Sequence, residues 1–393
     1  MPRLMLLGTF DTKGAELRYL AGLLRTGGAQ VTTVDLSTGT PSDAADIPAT
    51  TVAAQHPQGA GAVLGLGDRG VAVAAIGVAL ARFLPQQACD GVMGIGGGGG
   101  TSMIAAGLRT LPYGLPKLLV TTMASGDTAP YVGISDLILI PAVTDLAGLN
   151  PLSRRILHNA AQALLGMAGH PAPVTDGKPA LGLTMFGVTT ACVTALTAAL
   201  TEYDCLVFHA TGTGGATMEK LADSGLLTGL FDITTTEVAD HLFGGVLPCT
   251  PDRFGAAARS RIPQVVSLGA LDMINFGAPE TIPARHKDRL FHRHNPQVTL
   301  MRTTATENAE VGRWIAERLN RCEGPTHLMI PEAGLSALDI AGGPFHDPEA
   351  SAALFGAIEA TFAATATRRL TRLPLHINDP AFAAACLAAF RNL

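Results

Sequence analysis

The chain is poor in charge. Charged residues make up 15% of its 393 positions, against about a quarter in ordinary soluble domains, while apolar residues reach 47%. A sequence so short of charge has much interior and little solvated surface, as in α/β proteins whose sheets are covered by helices on both faces. Aromatics are scarce at 5%, leaving few platforms for stacking bases. The net charge of -5, with no Lys/Arg cluster, argues against a nucleic-acid footprint. The six cysteines are scattered without a C-x-x-C pair, the pattern of reduced core thiols, and a cytoplasmic location is expected. No phosphate-loop motif G-x-x-x-x-G-K-[ST] is present. The longest apolar stretch, Gly70 to Ala81, is too short to span a bilayer, and Met1-Pro2-Arg3 leads directly into an apolar segment, leaving no room for a signal peptide. A soluble protein is expected.

Against these absences stand 45 glycines, five of them consecutive. Gly96-Gly97-Gly98-Gly99-Gly100-Thr101 lies between a predicted buried strand, Val92 to Ile95, and a predicted helix that opens at Ser102. A strand, a loop without Cβ atoms and a helix N-terminus form a geometry that binds anions. Bare N–H groups close around phosphate oxygens, and the helix dipole favours negative charge there. The competing reading, a tight βα turn packed under another loop, ranks second.

Alternation organises the first part. Strands are expected at Leu4–Leu7, Gln30–Val34, Val92–Ile95, Lys117–Thr121 and Leu137–Ile140, with helices at Ala15–Leu24, Val71–Phe83 and Arg154–Met167. Gly169-His170-Pro171-Ala172-Pro173 is the clearest linker, so domains are expected at 1–175 and 176–393. The second part echoes the first, Asp204 to Met218 resembling Asp90 to Met103, with Gly212, Thr213, Gly214 and Gly215 as a second glycine loop. The expected fold class is α/β: two Rossmann-like, doubly wound parallel-sheet domains with a ligand cleft between them.

Several groups are candidates for chemistry. Gly94-x-Gly96-x-x-Gly99 satisfies the dinucleotide fingerprint formally, but the following strand ends Thr121-Thr122-Met123 where an acid is required. Asp35 stands at the right place in the N-terminal βαβ unit, yet Asp11 in its first turn would repel a pyrophosphate. An NAD-linked oxidoreductase is therefore the third reading. Thr9, Asp11, Thr12 and Lys13 instead suit a Mg²⁺–phosphate, with Asp11 as the metal group and Lys13 neutralising a terminal phosphate; helix capping is the equal alternative. The hydroxyl-rich loop Thr122, Met123, Ala124, Ser125 and Gly126 suits a ligand or a turn. His292-x-His294 lacks a third metal ligand nearby. Glu332 and His346 share a long glycine-flexed loop with Ser336 and are candidate general acid–base groups, whereas Asp347-Pro348-Glu349 and Thr304/Glu307 fit helix caps.

These segments together resemble one family, the Tm-one-like ATP-binding domain proteins of bacteria. They share a domain with the N-terminal part of a plant tobamovirus-resistance protein. The resemblance rests on Gly8 to Gly14, Asp68-Arg69-Gly70, Gly94 to Thr101, Thr122 to Asp127, Asp145 to Asn150, Thr184 to Thr190, Phe208 to Gly215, Gly269 to Gly277, His294-Asn295-Pro296 and Leu335 to Asp347. It implies two Rossmann-like domains, ATP at the glycine run with Mg²⁺, a homodimer, and a separate TIM-barrel-like partner protein. The family commonly has serine where this chain has Gly98, a change that backbone contacts to phosphate survive. No reaction follows from membership. The leading expectation is ATP-dependent chemistry on a small, carboxylate-bearing metabolite; a non-catalytic, nucleotide-dependent regulator acting through a protein partner is the alternative.

Overall fold

The computed structural model describes residues 1–39, 44–170 and 177–393. The chain forms two compact units, Met1–Val174 and Thr175–Leu393.

In the first unit β1 (Arg3–Gly8), β2 (Gln30–Asp35), β3 (Gly91–Gly96), β4 (Lys117–Thr121) and β5 (Ile138–Pro141) form one parallel sheet in the order β2-β1-β3-β4-β5. Continuous apolar runs make these strands because both faces are covered. Leu4 and Leu6 pack with Leu17, Leu20, Leu157 and Leu164 from the Phe10–Thr26 and Pro151–Gly169 helices. Met5 and Leu7 point the other way, into Ile76, Leu80, Ile104 and Leu108 from the Arg69–Phe83 and Gly98–Leu108 helices. Those last two helices approach closely: a Cβ on Gly107 would lie 2.6 Å from Leu80 Cγ. The helical stretch Arg69–Gln86, longer than expected, has the length and apolarity to cross a membrane, and 39% of it is buried in the fold. A core helix passes the same test.

In the second unit β6 (Ala180–Met185), β7 (Asp204–His209), β8 (Gly229–Thr234) and β9 (Gln264–Gly269) lead to an antiparallel insert of β10 (Met273–Phe276), β11 (Phe291–Asn295) and β12 (Val298–Arg302). The chain then returns to β13 (Thr326–Pro331) and β14 (Arg368–Leu373). The main sheet is parallel, in the order β14-β13-β9-β8-β6-β7, and the insert is ordered β10-β12-β11. The Thr190–Ala199 and Pro380–Arg391 helices cover one face and the Ala305–Leu319 and Pro348–Thr361 helices the other.

Both units wind alike, with the first strand flanked by the second and the third. That symmetry corrects the expected echo of Asp204–Met218 with Asp90–Met103. β7 is an edge strand and the counterpart of β2, whereas β3 corresponds to β8. Two helices also start earlier than expected. The glycine run is a helix from Gly98 onward, not a loop up to Ser102, and the first helix opens at Phe10, with a break at Lys13 (φ -123°, ψ 17°). Asp347 caps its helix through Ala350 N, and Thr304 with Glu307 closes a capping box.

Candidate functional site

In the first unit β1 leads to β2 on one side while β3 lies on the other, so the loops after β1 and β3 diverge. Sheets of this order bind ligands in the crevice that results. A cavity of about 440 Å³ lies there, lined by Thr9, Asp11, Thr12 and Lys13 after β1 and by Gly96, Gly97, Gly99 and Gly100 after β3, with Thr38, Gly39, Arg69 and Val73 beside them. The structure thus joins two segments that lie some eighty residues apart in the sequence.

Gly96 is required by the fold, since a Cβ there would stand 2.7 Å from the Gly100 carbonyl carbon. Gly97 is the N-cap and offers no side chain to the helix. Among the described residues the amides of Gly98, Gly99 and Gly100 have no acceptor, and no acid sits in this first turn. A Cβ at Gly97, Gly98, Gly99 or Gly100 would meet nothing closer than 3.4 Å. Glycine in a helix is less stable than alanine by about 0.5–1 kcal/mol, so these positions give up stability without a packing reason. What they keep is room in front of three free N–H groups.

The remaining expected ligand groups divide. Thr101 turns inward, buried, and bonds the Gly96 carbonyl and the Thr121 hydroxyl, so its side chain ties the turn to β4 instead of facing a phosphate. The Lys13 ammonium donates to the Leu146 carbonyl, which fixes its position at the cavity wall and leaves it two further donors. Arg69, unremarked as a candidate in the sequence, lines the cavity with no hydrogen bond or ion pair to any described residue. Asp68 places it there by capping the helix through Gly70 N and Val71 N (2.7 and 3.1 Å). Thr122 and Met123 flank Gly97 and Gly98, while Ala124, Ser125 and Gly126 do not line the cavity. Asp11 is the one carboxylate among the described lining residues, with Thr9 and Thr12 hydroxyls 2.6 Å from each other beside it. Mg²⁺ commonly takes one or two carboxylates plus phosphate oxygens and water, so this donor set fits the ion. The first helix, by contrast, is closed to anions. Asp35 accepts from Phe10 N (3.0 Å) and Ser37 N (2.9 Å), and Ser37 accepts from Asp11 N (3.2 Å). A dinucleotide would need both that turn and that aspartate.

The second glycine loop is explained from within. Gly212 N and Gly215 N both donate to Glu237 Oε1, at 2.6 and 3.1 Å, and a Cβ on Gly215 would fall 2.1 Å from Glu237 Oε2. Gly214 lies against the His209 carbonyl, where a Cβ would be 1.8 Å away. Gly212, Thr213, Gly214 and Gly215 therefore do not offer this cradle to a phosphate; a carboxylate of the same chain fills it. Glu237 belongs to a buried cluster in which Arg253 also meets Asp232 (2.7 Å) and Glu219 (3.5 Å). Burial, opposed by Arg253, pushes the Glu219 carboxyl up to about 7.

At the C-terminal ends of β13 and β14, Glu332 and His346 do share a cavity, of about 240 Å³. Glu332 is not a free base, because Arg372 Nε donates to it at 2.7 Å, while Nη1 of the same guanidinium donates to Glu359 at 2.8 Å. His346 Nδ1 faces the buried Asp339 Oδ1 at 3.9 Å. Ser336 is buried and donates to Asp272 (2.7 Å). Burial, reinforced by Asp339, raises Asp272 to about 7. His292 and His294 lie on β11, and no group of three metal-ligating side chains occurs among the described residues.

Two parallel sheets of this winding, one with an uncapped glycine turn at its crevice, define a Rossmann-like, doubly wound α/β protein. The chain belongs to the uncharacterised protein family UPF0261: residues 2–173 match its N-terminal domain and residues 178–393 its C-terminal domain. It is 61% identical to a UPF0261 protein of Mesorhizobium japonicum over 100% of this chain and 99% of that one. It is 60% identical to one of Rhizobium meliloti, with the same coverage. It is 42% identical to the tomato (Solanum lycopersicum) ToMV resistance protein Tm-1, matching 100% of this chain and 56% of that protein.

Proposed function

We propose that the β1/β3 crevice of the first unit binds the phosphates of ATP with Mg²⁺, in support of ATP-dependent chemistry on a small metabolite. The observation that carries this reading is the set of three amides at Gly98–Gly100 without an acceptor among the described residues, at the edge of the cavity that Gly97, Gly99 and Gly100 line. Those N–H groups would hold phosphate oxygens at the positive end of the helix. Arg69 would supply the cation, as a planar, permanently charged fork suited to phosphate. Asp11, with Thr9 and Thr12, would hold the hydrated metal. When bound, Mg²⁺ neutralises charge on the phosphates and so favours attack on them. In the second unit, taken by itself, His346 beside Asp339 would be the candidate general base, and Glu332 would act through Arg372.

The tomato relative is a virus resistance protein, which favours a second reading in which nucleotide binding regulates contact with a protein partner. Isothermal titration with ATP and with NAD⁺, each with and without Mg²⁺, tests the nucleotide claim. ATP is expected to bind more tightly with Mg²⁺, and Gly97→Val with Gly99→Val to abolish that binding. An unchanged ATP isotherm in the double variant would sink the proposal. His346→Ala separates the two readings: lost ATP turnover favours the enzyme, and retained partner control favours the regulator.

A further inference from the structure

The antiparallel insert carries a cavity of its own. Thr299 sits on the central strand β12, opposite Phe276 on β10 and Arg293 on β11, so these three side chains share one face. The Pro279–Lys287 segment lies over that face and encloses about 460 Å³, with Ile282, Pro283 and Phe291 among the apolar walls and Lys287, Arg293 and Thr299 as the polar groups. This volume is in the range of small-molecule sites, roughly 300–1,000 Å³.

Three observations give the cavity a preference. Neither Lys287 nor Arg293 makes a side-chain hydrogen bond or ion pair with any described residue, and no acid lines the cavity. Around it, Arg285, Lys287, Arg289 and Arg293 stand against Glu280 and Asp288 in sequence, and Arg289 is committed to Glu307 (2.8 Å), so the segment keeps a positive excess in a chain of net charge -5. The Thr299 hydroxyl is buried, 3% exposed, and has no partner. An unpaired buried hydroxyl is destabilising by about 1–3 kcal/mol, which calls for an acceptor.

We propose that this cavity binds an amphipathic anion. Its carboxylate or phosphate monoester sits between Lys287 and Arg293 and accepts from Thr299, while its apolar body lies against Ile282, Pro283 and Phe291. The proposal is independent of the nucleotide reading, since every residue it uses lies in the second unit.

The full chain would be titrated with decanoate, decyl phosphate and decanol. Saturable binding of at least one anion is expected, with decanol at least tenfold weaker; the tighter anion names the head group. Lys287→Gln with Arg293→Gln, both exposed, should weaken anion binding at least tenfold and leave ATP titration as in the unaltered chain. Thr299→Val should weaken it about threefold while melting no lower, because it removes an unpaired hydroxyl. Decanol binding as tightly as the anions, full affinity in the double glutamine variant, or no saturable binding of either anion would each overturn the proposal.

Discussion

Gly99→Ala with Gly100→Ala separates a glycine turn kept for a ligand from one kept for packing. At Gly99 the new Cβ would stand 3.4 Å from Val73 Cγ2, and at Gly100 3.8 Å from the Ile95 carbonyl, both ordinary contacts. Each replacement removes backbone entropy from the unfolded chain and should stabilise the helix by about 0.5–1 kcal/mol. Together that is about 1–2 kcal/mol. For a unit of this size each kcal/mol moves Tm by about 2–4 °C, so a rise of about 2–8 °C is expected. ATP affinity should move the opposite way, with the two methyls standing where phosphate oxygens approach; a loss of at least tenfold corresponds to about 1.4 kcal/mol. Differential scanning calorimetry with and without ATP–Mg²⁺ reads both effects in one experiment. Gly96→Ala is the contrast: its Cβ would lie 2.7 Å from the Gly100 carbonyl carbon, and overpacking of that kind is destabilising by about 1–3 kcal/mol. A lower Tm in the Gly99/Gly100 double variant would refute the packing argument, and unchanged ATP affinity would refute the ligand argument.

Arg69→Gln should weaken ATP at least tenfold and flatten the salt dependence of binding, with Tm unmoved, because its guanidinium bonds none of the described residues. Arg253→Met should be strongly destabilising, about 3–5 kcal/mol in urea unfolding, because it leaves Glu219, Asp232 and Glu237 buried around a lost cation. Asp272 has a folded-state pKa of about 7 against 3.8, raised chiefly by burial. Its contribution to stability is therefore full below pH 4 and lost as pH climbs to 7. Asp272→Asn should flatten that part of a pH–stability profile and melt higher than the unaltered chain above pH 7.

The sheet of the first unit was legible because its strands are buried on both sides. Leu4–Leu7, Val92–Ile95 and Lys117–Thr121 are apolar runs whose every second residue meets a different pair of helices. Strand neighbours were not legible. Asp204–His209 looks like Val92–Ile95 in composition, yet sits at an edge, because lateral order depends on the crossover path and leaves no local trace. The strand-to-helix passage at the glycine run was legible, but its helical first turn was hidden by glycine's low helix propensity. Glu237 fills Gly212–Gly215 from 22 and 25 residues downstream, a contact that no local pattern encodes. Arg69 was missed because its place at the cavity depends on the Asp68 helix cap and on the approach of the Arg69–Phe83 helix to the glycine turn, which no local pattern encodes.

The Glu237 carboxylate amounts to a tethered ligand. Held on the same chain in a folded site, it meets the Gly212 and Gly215 amides without the loss of translational and rotational freedom that a dissolved anion would incur. Phosphate or sulfate in a buffer therefore has no purchase on the second glycine loop. Among the described residues the amides of Gly98–Gly100 have no such tether, so on the proposed reading buffer anions would compete at the first unit's crevice and leave the second loop as it is.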